Sequence, residues 1–482
     1  MHAPLYLAID QGTQGTRALA IDESGRAQTT AYQAVTLTRQ GPAMVEQDPR
    51  QILASVRQVI TAIRADETVR SRGIVTAGLA TQRSSVIAWD KRSGEPLCPV
   101  LSWQDRRAAA QLDALRPYAG RIKQCTGLPL SPHYGASKLR WCLEHIPAVK
   151  RAHREGYLAF GPLASYLLHH LLQGSPLLVD HANASRTQLW NIHTRDWDPW
   201  LLDLFGIPPG RLPQCRPICH TYGILKDTDI PLSVVNGDQT SAIYCLGSPG
   251  RTTAIVNIGT GAFLLLLTGE NPVAHPTLLA GLARSDECGE EYTLEGTVNG
   301  AGAAMEWAYR QWGLKDHIRH LPGWLAREGA HPVFINTIGG LGSPWWRPGP
   351  EPSLVGNGEP WQGMVAVAES ILFLLRVNID AMEKAGMEIH SIRISGGLAR
   401  LDGMCGRLAD LTGRPVYRPA ETEATARGTA WLAAGAPQRW PMPGRGRHFT
   451  PRENRSLSER YERFIDLLER LPDTPMREGD GG

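Results

Sequence analysis

Two stretches in opposite halves of this chain share one plan, and that plan constrains the fold more than any other feature. Leu5 to Ile9 is a short apolar run suited to a buried strand. Asp10 closes it, Gly12 and Gly15 bracket a tight turn, and Arg17 to Ile21 reads as a second strand, so the unit is a hairpin. Thr252 to Asn257, Gly259-Thr260-Gly261 and Phe263 to Leu267 repeat the order of strand, Gly-Thr turn and strand. A unit that recurs once per half implies two related domains. The turn has its own chemistry. Glycine lets a ligand approach the backbone, N–H and threonine hydroxyl groups donate to phosphate oxygens, and a carboxylate such as Asp10 can hold a metal ion beside them. Taken alone, the first stretch reads equally well as an ordinary hairpin with a polar turn.

The rest of the chain alternates strands with helices. Ile74 to Thr81 is a strand running into Gln82-Arg83-Ser84-Ser85, and Leu232 to Asn236 is one stopping at Gly237-Asp238-Gln239. Ile392 to Ile394 is another, ending in Ser395-Gly396-Gly397. Ile52, Val56, Val59, Ile60 and Ile63 recur at helical spacing behind Asp48-Pro49. Helices are also expected from Gln104-Asp105-Arg106-Arg107, around Lys138 to Leu143, and over 162–172, 240–246, 301–312, 365–385, 401–411 and 423–434. Glu295-Gly296-Thr297 leads into the helix over 301–312, and 339–358, rich in Gly and Pro, is expected to be loop. Leu457, Tyr461, Phe464, Leu468 and Leu471 line one face of a terminal helix that packs on the body. The layout is α/β.

Composition removes several classes of function. A net charge of +3 over 482 residues argues against nucleic acid or an anionic membrane as partner. The longest dense apolar run, Phe263 to Leu267, is far too short to span a bilayer. Eight cysteines without a C-x-x-C pair give no zinc or redox signature and fit reduced thiols in a cytoplasmic protein. No basic-then-apolar signal segment is evident at the N-terminus. Asn183-Ala184-Ser185 matches a glycosylation sequon by chance.

With these pieces in order, the chain resembles the FGGY carbohydrate kinases. The resemblance rests on DQGT at Asp10 to Thr13, TQR at Thr81 to Arg83 and SWQDRR at Ser102 to Arg107. It continues through DHANASRTQLWNIHTRDWD at Asp180 to Asp198, GDQ at Gly237 to Gln239, GTGAF at Gly259 to Phe263 and SGGLAR at Ser395 to Arg400. Each motif is weak alone, and their order over most of the chain is specific. The resemblance implies two actin-like (ribonuclease H-like) domains with a cleft between them. Residues 1–246 would bind acceptor and phosphate, 247–436 the nucleotide, and 437–482 would form a linker and terminal helix. It implies ATP and Mg²⁺ as cofactors, a small polyol or sugar as partner, and leaves a homo-oligomer possible.

Residue by residue, Asp238 becomes the expected general base, since a hydroxyl proton must leave as its oxygen attacks phosphorus. Its competing reading is a helix N-cap. Asp10 becomes the metal residue, and Gly12, Thr13, Gly259, Thr260, Gly261, Gly302, Gly396 and Gly397 the ATP and phosphate grip. Arg83, Ser84, Trp103, His133, Asp238, Gln239 and Phe263 become the acceptor site, the arginine donating to hydroxyls and the aromatics walling a carbon chain. Departures from the family pattern are Glu306 for Gln and Leu401 for Asn near the adenine, and Arg347 for Asp. The glycerol-phosphorylating branch follows its arginine with Glu where Ser84 stands, and has Tyr-Phe where His133-Tyr134 stand. The Ser84 exchange raises the alternative of a longer polyol or a ketose as acceptor. A non-kinase actin-like ATPase is the reading from another class.

Overall fold

The computed structural model describes residues 4–471 apart from 315–316, 328, 330, 421–422 and 442–443. Leu5–Gln11 and Gly15–Asp22 form the expected hairpin, and Leu5–Gln11 also lies parallel to Ile74–Thr81. Pro231–Gly237 joins that strand on its other side, again in parallel. Cys219–Ile224 and Ala27–Ala34 close the six-stranded sheet at its two edges. A central strand buried on both faces reads as a continuous apolar run, and Leu5, Leu7, Ala8 and Ile9 are all fully buried. The second half repeats the scheme. Thr253–Ile258 pairs antiparallel with Ala262–Gly269 and parallel with Ser391–Ser395, inside a seven-stranded sheet.

Helices cover the sheets for reasons visible in their ends and faces. Asp48 caps Pro49–Ala65 by accepting from the Arg50 N–H at 2.8 Å, and Ile52, Val56, Val59 and Ile63 turn inward onto the first sheet's core. Each such side chain contributes about 1.5–3 kcal/mol on burial. Pro360–Lys384 starts on a capping box between Glu359 and Gln362 and runs through the second core. Terminal helix Arg455–Glu469 is capped by Asn454 and buries Leu457, Phe464 and Leu468 in the second core, so its apolar face packs on the body.

The connection between halves is tighter than a linear division implies. Ala424–Ala433 comes late in the chain, yet Thr429 lies against Gly78 of the first sheet, and Arg427 donates to the Gly25 and Cys245 carbonyls. A third core cluster mixes Ala8, Leu19 and Val234 with Ile255, Leu265, Ala426 and Ala430.

Three expectations change. Gln104 to Arg107 opens no helix: the Asp105 carboxylate is buried and accepts from the Val45 N–H at 2.7 Å and from Arg107, which competes with helical pairing, and a 3₁₀ helix begins only at Ala109–Tyr118. The helix placed at 240–246 is Asp238–Ala242, starting earlier and ending sooner. Glu295 to Thr297 lie at the end of strand Glu290–Val298, held in register by Ala262–Gly269, and the helix they lead into is Gly302–Trp312, as expected. Range 339–358 contains Ser353–Val355, which pairs with Val333–Ile335. Asn183 of the sequon is buried and bonded to Asp180, which fits its dismissal. Among the described residues, no helix is long and apolar enough to cross a membrane.

Candidate active site

Ligands of α/β sheets bind beyond the carboxyl ends of parallel strands. In the first sheet, register puts Asp10, Ala80 and Asn236 at one level and Gln11, Thr81 and Gly237 at the next. The residues that follow, Gly12, Gln82 and Asp238, therefore leave the sheet along one edge. Strands lie about 4.8 Å apart, so the backbones at Asp10 and Asn236 stand about 10 Å from each other with one strand between, and Asp238 follows two residues beyond Asn236. Burial, and after it Asp238, push the Asp10 carboxyl up to about 7, and Arg17 opposes. Burial likewise raises Asp238, against Arg83. Gly237 is the N-cap of the short helix and Asp238 its first residue, which disposes of the capping alternative. The Asp238 carboxylate accepts the Gln239 N–H at 2.7 Å.

Arg83 crosses over Gly237, where a side chain would collide with the arginine stem. Its guanidinium donates to Gln239 and lies 3.8 Å from Glu295, while Nη1 has no hydrogen-bond partner. Burial, then Arg186, lower its pKa to about 10. Ser84 is buried with a left-handed φ of 63°, and its hydroxyl has no partner either.

A polar chain joins this region to the first turn. Gly12 N–H closes the turn on the Gly15 carbonyl at 2.9 Å. Trp103 Nε1 donates to Thr13 Oγ1 at 2.9 Å, and the Trp103 N–H to Ser85 Oγ at 3.0 Å. Gln47 donates to the Thr13 carbonyl, and Gln82 to the side chains of Gln11 and Gln47. His133 meets Trp103 edge-on with ring centroids 5.8 Å apart. Burial, then Arg106, hold its imidazole well below the ordinary histidine range.

The second sheet supplies the other turn. Gly259 N–H closes on the Gly261 carbonyl, and the N–H groups of Ala301, Gly302 and Ala303 donate back to the carbonyls of Gly259 and Thr260. Helix Gly302–Trp312 can come this close because a Cβ on Gly302 would sit 2.7 Å from the Gly259 carbonyl oxygen. Gly396 holds φ +100° with its α-carbon against Ile258, bringing the end of Ser391–Ser395 to the same place, and Gly397 opens toward free space. We expect Gly396→Ala to cost about 1–3 kcal/mol in thermal unfolding through its backbone conformation alone. An unshifted melting temperature would refute that.

The site residues thus form two groups, one per sheet. Asp10, Gly12, Thr13, Arg83, Ser84, Trp103, His133, Asp238 and Gln239 share the first, through the contacts above. Gly259, Thr260, Gly261, Gly302, Gly396 and Gly397 share the second, with half-buried Phe263 beside them on the adjoining strand. Glu306 spends its carboxylate on Arg310 at an exposed helix face. Glu295 ties the groups together, pairing with Arg186 and facing Arg83. Sequence reading missed Glu295, Arg186, Gln47 and Lys138. A charge inside an apolar alternation at Leu294-Glu295 was the available signal.

Two like-built sheets with Gly-Thr turns at their strand ends, a lone carboxylate at one of them and a second carboxylate beside an arginine, define a phosphotransferase architecture. The N-terminal domain model of the FGGY family of carbohydrate kinases matches residues 5–245 and its C-terminal domain model residues 254–436, and the chain belongs to that family. It is a sugar or polyol kinase that transfers a phosphoryl group from ATP to a hydroxyl. Among its relatives, the glycerol kinase of Alkalilimnicola ehrlichii is 38% identical, over 89% of this chain and 90% of that one. The glycerol kinase of a Geobacter species is 32% identical over 96% and 98%. In fold it matches Plasmodium falciparum glycerol kinase with ADP at a TM-score of 0.88, with 23% identity over 97% and 98%. It also matches a xylulose kinase from Lactobacillus acidophilus at 0.83, with 20% identity over 96% of each.

Proposed function

We propose that glycerol is the acceptor and that Asp238 takes the proton from its attacking hydroxyl. The carrying observation is the shared strand edge, where Asp10 and, two residues beyond its level, Asp238 come out beside Arg83 and a Trp103 already bonded to Thr13. Arg83, with a buried N–H still free, and Ser84, with a buried free hydroxyl, would bond acceptor hydroxyls together with Gln239. Trp103, His133 and Phe263 would line its carbons. Gly12 and Thr13 from one sheet, and Gly259, Thr260 and Gly261 from the other, would hold the phosphates, with Gly302, Gly396 and Gly397 around the nucleotide.

Mg²⁺ fits this donor set. Among the described residues no group of three or more metal-ligating side chains exists, and Asp10 offers one hard oxygen group. Magnesium is commonly held by one or two carboxylates plus phosphate oxygens and water. When bound it would neutralise charge on the transferring phosphoryl group. The protein's own part is to hold both substrates in line and accept one proton. Residues 1–246 would serve acceptor and phosphate, 247–436 the nucleotide, and 437–482 would be linker and terminal helix, of which 472–482 lie outside the described residues. A cytoplasmic location fits such an enzyme.

The relatives named above do not favour the longer polyol or ketose. Loss of a carboxylate at Ser84 is also offset locally, since Glu295 already faces Arg83. We expect glycerol to lead in kcat/KM, measured by ADP release, over erythritol, D-xylulose, D-ribulose and sedoheptulose. A ketose leading the panel would overturn this assignment and restore the Ser84 argument.

A further inference from the structure

Lys138 lies on helix Gly135–His145 and is completely buried. Its ammonium donates to three backbone carbonyls: Ser84 at 2.9 Å, Ser102 at 2.9 Å and His133 at 2.8 Å. These carbonyls come from three separate segments. One carries Arg83 and Ser84, one leads directly into Trp103, and one carries His133. The acceptor-site residues of the first half therefore converge on a single nitrogen. An ammonium has three N–H groups, and the count of acceptors matches it. A neutral amine would leave one carbonyl facing a lone pair. Burial and Arg106 work against the charge, and Asp105 supports it.

The Ser84 contact also explains a strained conformation. A non-glycine residue at φ 63° is disfavoured and persists only where surroundings over-determine it. The helix places Lys138 beneath that residue and fixes its carbonyl. Ser85, next in sequence, then accepts the Trp103 N–H.

We propose that Lys138 is the positioning residue of the acceptor site, a buried ammonium that sets the mutual placement of Arg83, Ser84, Trp103 and His133 without touching substrate. This rests on the acceptor-site reading given above. Loss of the ammonium would free Ser84 from its left-handed conformation and loosen three segments at once. None of the three carbonyls belongs to the second sheet's turn, so ATP binding there would be spared.

The test uses the full-length enzyme. Glycerol turnover by the wild type tests the acceptor reading, and ratios of variant to wild type, on whichever acceptor leads, test the inference. Lys138→Met is expected to raise KM for the acceptor by roughly tenfold or more, as befits charged hydrogen bonds, with a much smaller rise in KM for ATP, whose phosphates are reached only through the Trp103 contact with Thr13. Lys138→Gln, which keeps two of three donors, should fall between, and it carries the test if the methionine variant does not fold. An acceptor KM equal to wild type would overturn the proposal, as would equal rises in both KM values or a lowered melting temperature with normal kinetics.

Discussion

Asp238→Asn is expected to lower kcat by about 10²–10⁴-fold, the usual contribution of a general base. The amide keeps the shape of the site and the N–H contact from Gln239, but it cannot take up a proton. ATP-analogue binding should stay near wild type, because the phosphate turns lie on other segments. The pH profile gives a second reading. The base works only as carboxylate, so activity is lost as pH falls through its pKa. Burial raises that pKa, so in the wild type the acid limb of kcat/KM should lie above the ordinary aspartate value of about 3.9. The contribution of Asp238 to that limb should disappear in the variant, leaving only that of Asp10. Near-normal turnover by a folded Asp238→Asn enzyme would remove Asp238 from the chemistry.

Glu295→Ala should produce the largest loss of stability, about 3–5 kcal/mol in denaturant unfolding, as when one partner is taken from a buried ion pair. Its carboxylate is 4% exposed, is bonded to Arg186, accepts from Thr293 Oγ1 at 3.1 Å and lies 3.8 Å from Arg83. Burial disfavours that charge, but Arg186 and then Arg83 outweigh it and hold the carboxyl below its usual range. Without Glu295, two buried guanidiniums face each other with no counter-charge. The double variant Glu295→Ala/Arg186→Met should therefore be more stable than Glu295→Ala alone. A cost below about 1 kcal/mol, typical of a solvent-exposed pair, would show that water compensates the two arginines.

The local elements were legible because their signals are local. Apolar runs ending at Asp10, Gln82 and Gly237 marked strands, and the cap at Asp48 marked a helix start. Where expectation failed, a distant partner intervened. Asp105 spent its carboxylate on Val45, and Ser353–Val355 was drawn out of a loop by pairing with Val333–Ile335.

Of the candidate site, the sequence by itself determined which residue types sit at strand ends and that the Gly-Thr turn occurs twice. Glycine and the residues that end strands act through their own backbone, so position in the chain reveals them. Only the tertiary structure decided which strand ends stand level, since register is set by pairing between segments far apart in sequence. Lys138 reads in sequence as one more residue opening a helix, and nothing local distinguishes it from an exposed lysine. Its role follows from three carbonyls on three other segments. The same holds for Glu295 and Arg186, whose charges tolerate burial only because each finds the other across the two halves. Ala424–Ala433 returns to the first sheet for a related reason. Small residues such as Thr429 fit against Gly78, and complementarity of that kind exists only once both surfaces have formed.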